Sequence, residues 1–247
     1  MLFRSYEASY RVRFSETGKD GKMSMNGVLR LFQDCGYEHA LDRGFDPDFT
    51  NRTHCTWYLI SWNISIIDAP CAGDEIVLKT YIYDMQESLA KKYIAMYDKG
   101  GKCLAKADTV WVYMNIDTQL PALPDKKDMG WLPQDFGDRS EDDAPHRRIK
   151  VPQDGMKTGP YRINDYLLDT NGHANNVRLT EFAMSVAGAD NGKCKYLRAE
   201  FKRQVMAGRA IIASIKKDYR DDCITTTVVF SETGKPENAV FYFSSPK

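Results

Sequence analysis

The chain repeats itself. Tyr10-Arg11-Val12-Arg13 returns as Tyr161-Arg162-Ile163-Asn164, 151 residues on. Met25-Asn26-Gly27 returns as Thr170-Asn171-Gly172, 145 on, and Ala72-Gly73-Asp74 as Ala207-Gly208-Arg209, 135 on. Each match is weak alone. The same order of expected elements around all three points to a tandem duplication, which restricts the fold to two like units. The shrinking offset predicts longer loops in the first copy, at Glu16–Lys22 and Gly44–His54.

Each copy predicts a short strand, one helix after an Asn-Gly pair, then a run of strands. Val28, Leu31, Phe32, Cys35 and Leu41 recur at helical spacing in the first copy, with Gly44 closing the helix. Leu179, Phe182, Ala183 and Val186 form the stripe in the second. The strands expected after the first helix are Trp57–Ile67, Glu75–Asp84, Lys91–Tyr97 and Cys103–Ile116. Those after the second are Lys195–Arg203, Ala210–Tyr219, Cys223–Ser231 and Ala239–Ser244, all rich in β-branched and aromatic residues. Lys99-Gly100-Gly101 and Thr233-Gly234-Lys235 mark equivalent hairpin turns.

A strand, one helix and an antiparallel meander predict a sheet curled around a central helix, the hotdog arrangement. The expected fold is therefore α+β, a double hotdog. One such unit leaves a sheet edge open, and a second copy covers it. The expected division is 1–135 for the first repeat, 136–158 for a linker and 159–247 for the second repeat. The linker region is rich in Pro, Asp and Gly and holds Glu141-Asp142-Asp143 and His146-Arg147-Arg148.

Composition narrows the function. The 247 residues carry 34 Lys+Arg and 34 Asp+Glu, so the formal charge is zero, which argues against nucleic acid as the main partner. No apolar run approaches about 18 residues, so no membrane span is expected. Arg4 and Glu7 interrupt any signal-peptide pattern at the start. The six cysteines form no C-x-x-C pair and no zinc spacing, so buried free thiols and no metal are expected.

The densest polar cluster is Asp169-Thr170-Asn171-Gly172-His173-Ala174-Asn175-Asn176, at the expected start of the second helix. A helix N-terminus offers free N–H groups and a positive dipole end, which suits a developing oxyanion. Histidine changes charge near neutral pH, and Asp169 and Asn171 stand where they can orient it or a water. An N-cap with turn residues has the same composition.

The string Asp169-x-Asn171-x-His173-x-Asn175-Asn176, after Tyr161-x-Ile163-x-Asp165, resembles the second-repeat signature of the acyl-acyl-carrier-protein thioesterases. Trp57-Tyr58-Leu59, Ala72-Gly73-Asp74 and Ala107-Asp108-Thr109-Val110-Trp111 agree with the first half of that family. The likeness runs from about Tyr10 to Phe243. It implies a double hotdog in the bacterial cytoplasm that hydrolyses fatty acyl thioesters, with no cofactor and with acyl carrier protein as partner. Carried over, Asp169, Asn171 and His173 form the catalytic set: His173 activates water, Asn171 holds water or the carbonyl, Asp169 fixes the geometry. Backbone N–H groups near Asn175 are expected to steady the oxyanion.

The family usually has Glu after the Tyr-Arg/Lys-Arg string of the second repeat, and plant members have Cys after that. Here Gln204 and Val205 follow Phe201-Lys202-Arg203. An amide is no general base, so Gln204 is expected to orient water. In the first repeat Val28 falls where His173 would, so one site per chain is expected, with the acyl tail in the first half near Trp57, Leu59 or Leu31. Acyl carrier proteins are acidic, which makes Lys193, Lys195, Arg198, Lys202 and Arg203 a candidate docking surface. The alternatives are an acyl-coenzyme A thioesterase and a non-catalytic module that binds acyl chains or carrier protein. A homodimer is compatible with either.

Overall fold

The structure is a computed structural model that describes residues 5–125, 148–170 and 172–247. The first repeat is built from β1 (Tyr6–Arg11), α1 (Met25–Asp42), α2 (Pro47–Thr53), β2 (Cys55–Ile66), β3 (Glu75–Gln86), β4 (Leu89–Asp98) and β5 (Cys103–Asn115). The second follows as β6 (Met156–Arg162), α3 (Asn176–Val186), β7 (Tyr196–Phe201), β8 (Ala210–Tyr219), β9 (Cys223–Glu232) and β10 (Glu237–Pro246). A short 3-10 turn, Phe14–Glu16 or Asp165–Leu167, precedes each central helix.

The ten strands among the described residues join one antiparallel sheet in the order β1-β3-β4-β5-β2-β7-β10-β9-β8-β6. The two halves of that order mirror each other. They meet where β2 pairs with β7, from Ser61↔Glu200 to Ser65↔Tyr196. The join covers the edge that either half would otherwise expose. Alternation along the strands sends Trp62, Ile64, Leu197 and Ala199 into one continuous core with Leu29, Phe32, Leu179 and Ala183 of the helices. The helices are tied by Arg30, whose Nε donates to Glu181 Oε1 at 2.6 Å. The architecture is the double hotdog expected from the repeat.

The register between the copies differs from the one the short matches suggest. Thr17 bridges Met23 and Leu168 bridges Ala174, both pairs 151 residues apart. Gly21 and Gly172 both adopt positive φ, 73° and 75°. Ser24 caps α1 and Asn175 caps α3, again 151 apart. The Glu16–Lys22 loop is therefore no longer than its counterpart. The 16 extra residues of the first copy lie between the helix start and Gly73, where α1 has 18 residues against 11 in α3 and α2 is added.

One expectation changes with this register. The counterpart of His173 is Lys22, not Val28. Asn26 does not cap its helix: Ser24 Oγ accepts the Gly27 N–H at 3.2 Å, while Asn26 Oδ1 is buried without a partner. Gly27 is glycine for a packing reason, since a Cβ there would stand 2.4 Å from the Glu16 carbonyl oxygen. Gly172 is glycine for its left-handed backbone.

All six cysteines are free thiols. Cys35 and Cys194 are buried as expected, but Cys71 is exposed. Among the described residues no helix is long and apolar enough to cross a membrane.

Candidate functional site

The segment before α3 is held from both sides. Asp169 N–H donates to His173 O at 2.7 Å, and the Asp169 carboxylate accepts the His173 N–H at 3.1 Å. The positive φ of Gly172 closes that turn. Ala174 N–H then donates to Val205 O at 2.8 Å, and His173 bridges Met206, so the turn is zipped to the loop that follows β7. Arg178 Nη1 reaches back from α3 to the carbonyls of Tyr166 and Leu168, both at 2.8 Å, which pins the chain just before Asp169.

The N-terminus of α3 is partly capped. Asn175 Oδ1 accepts the N–H groups of Val177 and Arg178 at 2.9 and 3.2 Å. The Asn175 N–H is taken by Leu167 O. In this first turn the Asn176 N–H has no protein partner among the described residues. Its side chain donates to Leu59 O at 3.0 Å, which docks the helix start against β2 of the first repeat. Leu59 lies beside an irregularity in the β2–β5 pairing, between Leu59 and Ser61.

Three expected site residues are described. Asp169, His173 and Gln204 are all half-buried and converge on this corner, Gln204 through the zipped loop. Asn171 lies outside the described residues, as do Glu141-Asp142-Asp143, His146 and Arg147 of the linker. The imidazole Nδ1 of His173 is buried and makes no hydrogen bond to the protein. Among the described residues it is therefore an available acceptor or donor.

Sequence reasoning did not single out Tyr58 as part of the site. It reaches across from β2, where its hydroxyl is hydrogen-bonded to the Gln204 side chain and feels the Asp169 carboxylate. Burial raises the pKa of the phenol, the Gln204 bond counters that, and the charge of Asp169 adds to it. Tyr58 thus stays a neutral hydroxyl that can both donate and accept. No local signal marks it, because its partner is 146 residues away and in the other copy.

The equivalent corner of the first repeat keeps the backbone turn, with Gly18 N–H donating to Lys22 O at 2.8 Å and Lys22 bridged to Cys71, but not the polar side chains. With the register given above, Gly18, Lys22 and Ala69 occupy the places of Asp169, His173 and Gln204. The N–H of Met25, counterpart of Asn176, is occupied by Asn191 O at 3.0 Å. No group of three or more His, Cys, Asp or Glu residues suited to a metal occurs among the described residues.

The basic residues near this corner are partly engaged. Arg203 binds the carbonyls of Pro236 and Glu237, and Lys202 lies 3.9 Å from Glu237. Arg198 faces Glu200, while Lys193 and Lys195 are exposed.

Residues 4–124 match the family model described as the acyl-ACP thioesterase N-terminal domain. The chain is 24% identical over 241 residues to acyl-[acyl-carrier-protein] hydrolase FATB3 of Cuphea viscosissima, a match that covers 93% of this chain and 54% of that one. It therefore spans about half the length of that relative. Its fold superposes on a 12:0-ACP thioesterase from Umbellularia californica with a TM-score of 0.84 at 16% identity, covering 98% of this chain and 94% of the other. An acyl-ACP thioesterase from Bacteroides thetaiotaomicron gives 0.80 at 17% identity, covering 98% of each. With the duplicated fold, the Asp169–Asn176 string and these matches together, the chain belongs to the acyl-ACP thioesterase family.

Proposed function

We propose that this chain is a thioesterase that hydrolyses fatty acyl-acyl carrier protein to free fatty acid and carrier protein. The observation that supports it is the asymmetry between the two corners. One has an unpartnered imidazole nitrogen, a free helix N-terminal N–H and the Tyr58–Gln204–Asp169 group. The other has none of these. A duplicated fold that keeps one polar corner and fills the other is suited to one active site per chain.

In this reading His173 Nδ1 accepts a proton from water as its oxygen attacks the thioester carbonyl. The carbonyl oxygen becomes the oxyanion and is met by the Asn176 N–H at the positive end of α3. The C–S bond then breaks, the electron pair leaves on sulfur, and the proton returns from His173 to the thiolate. Tyr58 and Gln204 hold the water, and Asn171 supplements them. Asp169 keeps the His173 backbone in place. The thioester is already activated, so the chemistry asks for no cofactor.

The acyl tail runs into the first repeat, and the carrier protein docks on the exposed lysines near Lys193 and Lys195. The test is turnover of acyl-acyl carrier protein and acyl-coenzyme A, side by side, over a range of chain lengths. Faster turnover of the carrier-protein thioester is the expected result. Preference for coenzyme A would move the assignment to the other thioester, and absence of both activities would leave a binding module.

A further inference from the structure

The first repeat buries a lysine where a lipid-handling protein has no evident need of one. Lys92, on β4, is 6% exposed. Its Nζ donates to Gly36 O at 3.1 Å and lies 5.5 Å from the Trp111 ring. An ammonium has three donors, and this one has no carboxylate within salt-bridge reach among the described residues. Burial pushes its pKa down to about 8, which shows how poorly the protein itself compensates the charge.

Lys92 is not packed into solid core. It faces a cavity of about 50 Å³ between α1 and the sheet, with Phe45, Trp57, Ile82 and Trp111 in its walls. His39 and Arg43, from the end of α1, are the other polar groups on it. Arg43 Nε approaches His39 Nε2 at 3.5 Å, so that imidazole nitrogen accepts and the ring stays neutral. Gly36 contributes space: a Cβ there would stand 3.9 Å from Lys92 Nζ and 3.7 Å from Trp111. The combination is an aromatic sleeve with Lys92 and Arg43 at its side and, among the described residues, no carboxylate that pairs with Lys92.

The cavity and the candidate active site share one level of β2. Trp57 lines the cavity, Tyr58 bonds Gln204, and Leu59 pairs in register with Trp111 while its carbonyl receives Asn176. A chain held at the active site and turned into the first repeat would meet this sleeve. A plain hydrocarbon end gains nothing from an ammonium and offers no acceptor to the donors that Gly36 O does not take. An oxygen function at that end supplies a second acceptor beside the Gly36 carbonyl.

We propose that this cavity receives the far end of the acyl chain and selects acyl groups with an oxygen function there, a hydroxyl or a carboxylate, with Lys92 as its hydrogen-bond donor. The inference rests on the acyl-thioester reading for its substrate, but its test does not depend on turnover. Trp57 and Trp111 line the cavity, so ligand entry is followed by tryptophan fluorescence. The probes are a length series of saturated fatty acids and the matching ω-hydroxy and α,ω-dicarboxylic acids, titrated into the full chain. At the best length, the wild type should bind an oxygenated acid at least about tenfold more tightly than the plain acid. The two oxygenated series tell a hydroxyl from a carboxylate.

Lys92→Met, which keeps the side chain's volume, should abolish or invert that ratio. Gly36→Ala, which places a methyl beside Nζ in a helix that tolerates it, should lower the ratio without unfolding the protein, and serves if the lysine variant does not fold. Equal binding of plain and oxygenated acids by the wild type would overturn the proposal. So would an unchanged ratio in Lys92→Met, or, if that variant fails to fold, in Gly36→Ala. Discrimination in binding without hydrolysis of any thioester would remove the hydrolase reading and leave this one standing.

Discussion

Tyr58 and Gln204 belong to different repeats, 146 residues apart, and their side chains are hydrogen-bonded beside the carboxylate of Asp169. Neither repeat alone can make this contact, so the candidate site exists only because the two copies share a sheet. If the pair holds the attacking water, each member depends on the other. Tyr58→Phe and Gln204→Ala should each lower kcat/KM by about tenfold or more, ~1.4 kcal/mol of barrier. The double variant should lose much less than the product of the two. A fully additive double variant at intact fold would separate the two residues functionally.

Gln204→Glu tests whether the amide stands in for a missing base. A second carboxylate beside Asp169 would be pushed toward its protonated form, because like charges oppose ionisation. We expect no gain above about tenfold, ~1.4 kcal/mol. The check is a pH–rate profile of wild type and variant on one acyl-carrier-protein substrate. A much larger gain would show that the parent lacks its base.

His173→Ala should reduce turnover by about 10² to 10⁴ while leaving the fold intact, the usual range for a positioned acid–base group. Asn171→Ala should also impair turnover, whereas Asn26→Ala should not, since Asn26 lies inside α1 with its carbonyl oxygen unpartnered. Circular dichroism alongside steady-state kinetics makes the comparison. Full activity in a folded His173→Ala protein would end the mechanism.

The duplicated fold was legible because apolar periodicity and turn glycines recur in both copies. The register was less so. Asn26-Gly27 and Asn171-Gly172 have the same letters, but Gly27 is there because Glu16 O lies where its Cβ would be, and Gly172 because its φ is positive. Sequence displays the residue type and not which of these two needs selected it. The polar string from Asp169 to Asn176 was visible because it is local. Tyr58 and Lys92 were not, because what distinguishes them is the far-separated residue or cavity each one faces.

The glycines of α1 give a stability test of opposite signs. Helix propensity alone favours Ala over Gly by about 1 kcal/mol. Gly36→Ala meets only ordinary contacts and should be neutral or stabilising. Gly27→Ala would meet the Glu16 carbonyl at 2.4 Å, a rigid backbone atom, and should destabilise by about 1–3 kcal/mol. Urea titration of both variants decides it, and a stabilising Gly27→Ala would refute the packing account.

His39 should make the fold acid-sensitive. It is 3% exposed on α1, stacked on Tyr6 of β1 and flanked by Lys92 of β4 and Arg43. Burial, then the charge of Lys92, then that of Arg43 lower its pKa from 6.5 to about 2. Above pH 6.5 the ring is neutral whether the chain is folded or not, and the group contributes no pH dependence. As pH falls below 6.5 the unfolded chain binds a proton that the folded chain refuses, so stability falls by up to ~1.4 kcal/mol per pH unit. Lys92, whose folded pKa is about 8, is protonated in both states across this acid range and adds no slope there. His39→Phe keeps an aromatic ring against Tyr6 and removes the titrating group. Its urea midpoint should therefore vary less than that of the wild type between about pH 7 and pH 4.5, and the difference between the two proteins should grow steadily as pH falls. The variant cancels the background from surface carboxylates, which both proteins share. Parallel pH profiles for the two proteins would show that His39 takes up its proton in the folded state, and with it that the cluster around Lys92 is open to acid.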